Sequence, residues 1–253
     1  MKPIEPLLER WMDVAGRIRS AASIVLFTDF DGTLAPLVAR PEDARISRPT
    51  RAALVRLAAH PRVRVFVISG RKRADLVARV AAPGVPCLGA FGWDSGAERL
   101  PAATLRRLRQ ARLEVAARLN GTLGVRVEDK GMSFALDYRG ADCETGRRAR
   151  QELDEVLARF RLQAVPGDSV MEVLPREIRG KGHAARRWWW RLHAPDALPI
   201  YLGNDATDEP AFESLAGGIT ARVGRRGSTR AHYFLRGPAE VGRFLERLEK
   251  EIR

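Results

Sequence analysis

Apolar positions along this chain fall into short unbroken runs, separated by stretches with helical spacing. Ile24 to Thr28 is one such run and Arg64 to Ile68 a second, each reading as a strand buried on both faces. Pro86 to Ala90 is a third, shorter one. Leu7, Leu8, Trp11, Met12, Val14 and Ile18 recur at helical spacing, which predicts an amphipathic helix over roughly the first fifteen residues. Further helices are expected from Pro49 to about Ala59 and from Arg71 to Ala81. Strands alternating with helices in this way predict an open parallel sheet covered on both faces.

The rhythm then changes. Thr104 to Leu119 reads as a helix. Val125 to Glu128 and Ser133 to Tyr138 alternate like half-buried antiparallel strands, with Asp129 to Gly131 as the turn. Cys143 to Phe160 reads as a charged helix. Leu162 to Val165 and Val170 to Leu174 read as a second strand pair, with Pro166 to Asp168 as the turn. This αββαββ order predicts a separate α+β domain over residues 101–176, inserted between core segments 1–100 and 177–253. After it the parallel pattern resumes. A helix is expected over Lys181 to Leu192, a strand over Pro199 to Leu202 and a short helix over Asp208 to Leu215. Strands at Gly218 to Arg222 and His232 to Leu235 follow, and Ala239 to Glu251 closes as a helix.

Composition narrows the classes. Of 253 residues, 45% are hydrophobic, enough for a sizeable core and too many for a disordered chain. The net charge is +13, and only five of the 44 basic residues are Lys. That excess attracts anions, phosphates included. No nucleic-acid-binding motif accompanies it, so no nucleic acid partner is expected. Two cysteines, Cys87 and Cys143, make neither a disulfide framework nor a zinc site, and both are expected to pack as small apolar side chains. No apolar leader or membrane-length run is evident. A soluble cytoplasmic protein, monomeric or weakly oligomeric, is the expectation.

The candidate chemistry sits at strand ends. Asp29-Phe-Asp31-Gly32-Thr33 follows the first strand, which places two carboxylates beside the crevice where open α/β sheets bind ligands. An acidic turn capping a helix is the plainer reading of those residues alone. Three more polar clusters fall at matching places. Ser69-Gly70-Arg71 follows the second strand, Gly180-Lys181-Gly182 opens the helix after the insertion, and Gly203-Asn204-Asp205 through Asp208 and Glu209 follows the Pro199 strand. Taken singly, these read as an N-cap, an exposed Lys and another acidic turn. Carboxylates gathered at one strand end repel one another unless a cation is present, and oxygen ligands suit Mg²⁺.

In this order the four clusters resemble the motifs of the haloacid-dehalogenase-type hydrolase superfamily, and the insertion resembles its type 2 cap. The sequence GNDATDEPAF, from Gly203 on, is similar to the closing motif of the trehalose-6-phosphate phosphatases. Ile68 to Arg71, Glu128 to Ser133, Tyr138-Arg139 and Met171 to Pro175 resemble the same family. The resemblance implies a Rossmann-like core and a Mg²⁺-dependent phosphatase that hydrolyses trehalose 6-phosphate through an aspartyl-phosphate. It makes Asp29 the nucleophile and Asp31 the acid and base. Gly32, Thr33, Ser69, Gly70 and Lys181 would bind the phosphate, with Ser69 and Lys181 also catalytic. Asp29, Asp31, Asn204, Asp205 and Asp208 would hold Mg²⁺, and Arg71, Glu128, Lys130 and Glu172 the sugar. Sucrose phosphate or mannosyl-3-phosphoglycerate is the alternative substrate, and a catalytically silent phosphosugar-binding domain the alternative function.

The sequence departs from the family pattern at three places. Asn204 stands where an Asp is usual, Asp137 where a His is usual, and Phe91-Gly-Trp93-Asp94 replaces a stretch that commonly reads His-Gly-Ala-Glu. Trp93 is the aromatic residue expected to meet the sugar. For Trp188, Trp189 and Trp190, packing is expected to account for one or two.

Overall fold

The computed structural model describes residues 4–167, 169–192, 196–224 and 228–252. The chain folds as two compact units, Met1–Gly96 with Gly180–Arg253, and Ala97–Arg179.

The first unit opens with β1 (Glu5–Pro6), α1 (Trp11–Ser20), β2 (Ile24–Thr28), α2 (Arg48–Ala59), β3 (Val63–Ile68), α3 (Arg73–Val80) and β4 (Cys87–Leu88). The second unit contains α4 (Ala102–Arg118), β5 (Arg126–Asp129), β6 (Phe134–Asp137), α5 (Cys143–Phe160), β7 (Leu162–Pro166) and β8 (Val170–Pro175). The chain returns to the first unit through α6 (Gly180–Arg191), β9 (Leu198–Gly203), α7 (Glu209–Ser214), β10 (Ile219–Val223), β11 (Tyr233–Leu235) and α8 (Pro238–Ile252).

Seven strands of the first unit form one sheet in the order β1-β11-β10-β9-β2-β3-β4, every pair parallel. Every residue of β2 is buried, as its unbroken apolar run requires. Phe27 stacks on Phe66 at 5.3 Å, and Phe66 meets Trp188 at the same distance. Burying each such side chain contributes roughly 1.5–3 kcal/mol. From β2 the chain moves to β3 on one side, and from β9 to β10 on the other. The connections diverge at the β2–β9 pair, so a crevice opens at the carboxyl ends of these strands.

In the second unit four strands form an antiparallel sheet in the order β5-β6-β8-β7, packed on α4 and α5 by Phe134, Leu136, Leu108, Val115, Leu153 and Val173. Helix α5 matches its sequence pattern to the residue. Asp142 caps it by accepting from the Thr145 N–H at 2.8 Å, and Arg161 ends it at φ 52°. Asp168, expected in the turn between β7 and β8, lies outside the described residues.

The differences from the sequence pattern have local causes. The first helix begins at Trp11, later than the apolar spacing suggests. Glu5–Pro6 instead pairs with β11, and the Leu7 N–H donates to the Phe234 carbonyl at 2.9 Å. Leu7 is buried through that pairing. Helix α3 starts at Arg73, because the carbonyls of Ser69 and Arg71 accept from Phe91 and Ala90 and so are not free to begin a helix earlier. Strand β4 is only two residues long, since Phe91 takes φ 58° and turns the chain. Cys87 is buried as expected, whereas Cys143 is exposed at the start of α5. Trp188 and Trp189 pack against the core, and Trp190 is exposed. Among the described residues no helix is long and apolar enough to cross a membrane.

Candidate active site

Asp29 leaves β2 with its N–H donating to the Leu202 carbonyl of β9 at 2.8 Å, which fixes it between the two central strands. The chain then turns sharply. Thr33, Leu34 and Ala35 all donate to the Phe30 carbonyl, and Gly32 donates to Ala35. Gly32 has φ 78°, and a Cβ there would lie 2.3 Å from the Asn204 side chain. Only glycine allows this turn and this approach together. Thr33 Oγ1 donates to Asp29 Oδ2 at 3.3 Å.

Lys181, in the first turn of α6, reaches the same place. Its Nζ donates to Asp29 Oδ1 at 2.7 Å and to Asp208 Oδ1 at 2.9 Å. Lys181 is 3% exposed, Asp29 4% and Asp208 0%, so these charges act on each other with little screening. Burial pushes the Asp29 carboxyl well above its ordinary range. Lys181 opposes that rise, while Asp208, Asp205 and Asp31 add to it. Burial alone would lower Lys181, but Asp208 and Asp29 outweigh it and keep the ammonium charged.

Asp208 has a role the sequence pattern did not predict. Its Oδ1 accepts from Lys181 and from the Tyr201 hydroxyl at 2.8 Å. Its Oδ2 accepts from the main-chain N–H groups of Asn204 and Asp205, at 3.0 and 3.2 Å. Each oxygen of a carboxylate offers about two lone pairs, so Asp208 is saturated by the protein. It anchors Lys181 and folds the loop after β9, at a position where a metal ligand was expected. In the same loop Asp205 Oδ1 accepts from the Thr207 N–H and hydroxyl, at 2.9 and 2.6 Å.

A cation fits beside Asp29. One atom of the Asn204 side-chain amide lies 2.9 Å from the Asp31 carbonyl oxygen and 3.1 Å from Asp29 Oδ2. With the amide nitrogen there, it donates to both. With the amide oxygen there, three oxygens converge and only the Thr33 hydroxyl, 3.4 Å from the Asn204 oxygen and 3.3 Å from Asp29 Oδ2, offers them a proton, an arrangement that a hard cation would stabilise. Three carboxylates, Asp29, Asp205 and Asp208, also share one buried ammonium. Among the described residues no three His, Cys, Asp or Glu side chains group as metal ligands. The set here depends instead on a main-chain carbonyl and an amide. Asp31 would enter such a set by its carbonyl, since its carboxylate faces Arg71.

The Asp31 carboxylate faces Arg71. Nε donates to Oδ2 at 2.7 Å and Nη2 to Oδ1 at 2.6 Å, a bidentate pair. Ser69 follows β3, is buried, and accepts from the Arg71 N–H at 3.2 Å. At Gly70 a Cβ would lie 2.8 Å from the Phe91 ring, so this stretch lies flat against it. Trp93 follows Phe91, and its indole N–H is buried without a hydrogen-bond partner among the described residues.

The remaining expected residues belong to the second unit. Glu128 of β5 and Glu172 of β8 both stand opposite Ala135 of β6, so they share one face of that sheet. Lys130 pairs with Glu172. The ion pair on this face therefore joins Lys130 to Glu172 and not to Glu128, its neighbour in sequence.

Comparison with known proteins places this geometry. The family model described as trehalose-phosphatase matches residues 27–230, which includes Asp29, Lys181 and Asp208. The chain belongs to the trehalose-phosphatase family. It is 34% identical over 251 residues to the trehalose-phosphate phosphatase of Mycobacterium marinum, covering 90% of this chain and 62% of that one. It thus spans about three-fifths of the length of such relatives. The fold is similar to the C-terminal domain of trehalose-6-phosphate phosphatase from Candida albicans, with a TM-score of 0.83 at 21% identity and coverage of 98% and 99%. It is also similar to the C-terminal domain of the Candida albicans trehalose synthase regulatory protein, with a TM-score of 0.73 at 14% identity and coverage of 97% and 99%. An α/β core with a separate antiparallel layer is therefore the shared architecture of this trehalose-phosphatase family member.

Sequence reading missed Tyr201 at this site. The signal was a single phenol in the apolar strand Leu198–Gly203, since a buried Tyr needs a partner for its hydroxyl. Burial and the charges of Asp208 and Asp29 hold that phenol well above its ordinary pKa, so it stays a neutral donor. Asp75 was missed as well. It binds Arg71 Nη1 at 2.7 Å from the first turn of α3.

Proposed function

We propose that this chain is a Mg²⁺-dependent phosphatase that hydrolyses trehalose 6-phosphate through a phosphorylated Asp29. The observation that carries the reading is the Asp29–Lys181–Asp208 contact, a buried carboxylate beside a fixed ammonium at a strand's carboxyl end.

An oxygen of Asp29 forms a bond to phosphorus while the bond from phosphorus to the sugar oxygen breaks. Asp31 gives its proton to that leaving oxygen. In the second step Asp31 takes a proton from water, which attacks phosphorus and returns Asp29 as a carboxylate and the phosphate as product. Lys181 offsets the repulsion between Asp29 and the dianionic phosphate, a role that needs the charge Asp208 maintains. Thr33, Ser69, Gly32 and Gly70 lie on the two turns that would receive the phosphate oxygens. Mg²⁺ would be held by Asp29, the Asp31 carbonyl and the Asn204 amide oxygen, with Asp205 nearby, and would supply further charge neutralisation. Glu128, Lys130 and Glu172 are proposed to read the sugar hydroxyls. Carboxylates and an ammonium each satisfy several hydroxyls at once.

The test is phosphate release from trehalose 6-phosphate, sucrose phosphate and mannosyl-3-phosphoglycerate, with and without Mg²⁺. Trehalose 6-phosphate is expected to be the best substrate, and Asp29→Asn to abolish turnover without unfolding the chain. Near-normal rates in that variant overturn the nucleophile. The resemblance in fold to a regulatory protein supports a second reading, a silent phosphosugar-binding domain. Saturable sugar-phosphate binding without release of phosphate selects it.

A further inference from the structure

The guanidinium of Arg71 makes four hydrogen bonds. Two go to the Asp31 carboxylate, one from Nη1 to Asp75 Oδ2 at 2.7 Å, and one from Nη2 to the Pro41 carbonyl at 2.8 Å. A guanidinium has five N–H groups, so one is left. The group also lies over the Phe30 ring, 5.2 Å from its centroid, and its side chain is only 11% exposed. A side chain so fully engaged has little left to offer a sugar or a phosphate.

The partners of Arg71 are themselves held. Asp75 Oδ1 accepts from Arg79 Nε at 2.7 Å, and Arg79 Nη1 donates to the carbonyls of Glu42 and Ala44. Arg71 and Arg79 thus tie α3 to the segment of residues 41–44 that follows the Asp31 turn. The two carboxylates are the open members of this chain of charges, Asp31 at 35% and Asp75 at 36% exposed, against 11% for Arg71 and 14% for Arg79, and of the two Asp31 is the one on the turn after β2.

We propose that Arg71 is a positioning residue that acts on the reaction through Asp31, and is not a substrate ligand. This rests on the proposed role of Asp31 as acid and base. The Arg71 fork fixes both oxygens of the Asp31 carboxyl and leaves each a lone pair for the proton, so the group approaches the leaving oxygen as the acid, and later the water as the base, from one defined place. Among the described hydrogen bonds only those from Arg71 hold the Asp31 carboxylate, so without them the side chain samples several rotamers. Misplacing a catalytic group by about 1 Å costs roughly 10²-fold in rate.

A double-mutant cycle tests this with Arg71→Ala, Asp31→Asn and both together, on trehalose 6-phosphate and on p-nitrophenyl phosphate. Arg71→Ala is expected to lower kcat for the sugar phosphate by roughly 10–10²-fold with KM little changed. The loss is expected to be several-fold smaller for formation of the phosphoenzyme from the aryl ester, whose leaving group needs no proton. In the Asp31→Asn background, Arg71→Ala is expected to add less than about a twofold loss, because residues that act as a unit are not additive. Arg71→Lys, which keeps the charge and loses the fork, is expected to recover part of the rate. It also supports the same cycle if the alanine variant does not fold. Fully additive losses, or a raised KM with kcat kept, overturn the inference and leave Asp31 in its role. An Asp31→Asn enzyme that loses nothing overturns the proposed chemistry and this inference together.

Discussion

Tyr201 donates its hydroxyl to Asp208 at 2.8 Å in a place where neither side chain reaches solvent. The phenol comes from the middle of a strand and the carboxylate from the loop that follows it. With the bonds from the Asn204 and Asp205 N–H groups to the same carboxylate, this bond sets how the loop folds back over the strand end. Tyr201→Phe removes the donor and leaves the ring packing intact. A hydrogen bond to a charged group is worth roughly 1.5–3 kcal/mol, so the variant is expected to be destabilised by about that much. Urea unfolding checks it, with the midpoint lowered and the slope unchanged.

Asp208 and Asn204 are expected to respond differently to Mg²⁺. Asp208→Asn weakens the hold on Lys181, so turnover should fall while the Mg²⁺ concentration for half-maximal activity stays as it was. A large rise in that concentration would return Asp208 to the metal.

Asn204→Asp puts a carboxylate 2.9 Å from the Asp31 carbonyl and 3.1 Å from Asp29 Oδ2. Oxygens at that spacing repel one another until a cation joins them. The variant is expected to melt lower than the parent in EDTA and to gain more from added Mg²⁺. Thermal melts with and without the ion read this directly, whatever happens to activity. An equal Mg²⁺-induced shift in the two proteins contradicts the placement of Asn204 at the cation.

Asp137 gives the second unit an acid-sensitive contact. Burial would raise its carboxyl, but the hydrogen bonds from Arg139 and the charge of Arg126 outweigh that and hold it below the ordinary 3.8. A carboxyl lowered on folding stabilises the native state above its unfolded pKa, and that stability is lost as pH falls through the folded value. The stability difference between the parent and Asp137→Asn should be full at about pH 6 and shrink steadily below about pH 4. Chemical unfolding across that range is the measurement, and a constant difference would sink the idea.

Alanine at Glu128 or Glu172 tests the sugar assignment. Both share a sheet face, and Glu172 is paired with Lys130. A site that recognises hydroxyls is expected to lose far more kcat/KM for trehalose 6-phosphate than for an aryl phosphate, since unmatched polar groups penalise the binding. Equal losses for both substrates mean that these side chains only support the fold.

Elements set by local rules were legible in the sequence. Helix α5 could be read to its ends from its own run of charged and apolar residues, and in the structure Asp142 caps it and Arg161 ends it. Strand β2 could be read because five consecutive buried residues leave no other choice. Strand β1 was not legible: two residues carry no period, and their pairing with Tyr233 and Phe234 is remote in sequence. The same divide runs through the site. Residue types at strand ends pointed to Asp29, Asp31, Lys181 and the acidic loop. What each carboxylate faces depends on groups brought from elsewhere, and sequence spacing does not encode that. Asp208 was read as a ligand because it is acidic, and it proved to be enclosed by Lys181, Tyr201 and two main-chain amides. Arg71 was read as a sugar contact, and it proved to be engaged by Asp31, Asp75 and Pro41.

The pairing of β2 with β9 also governs how the polypeptide acquires its shape during synthesis. These central strands are neighbours in the sheet, yet the whole of Ala97–Arg179 is translated between them. While the nascent chain is short, β2, β3 and β4 have one half of a sheet and an unprotected apolar edge. The antiparallel layer, whose strand pairings are all local to its own segment, is free to form first. The ribosome must deliver β9 before that edge is covered, and with it the loop that holds Asp208. A polypeptide stalled just before Leu198 should therefore protect the segment 97–179 from protease while β2 is still cut, and catalysis should switch on only once the strands from β9 onward have been released.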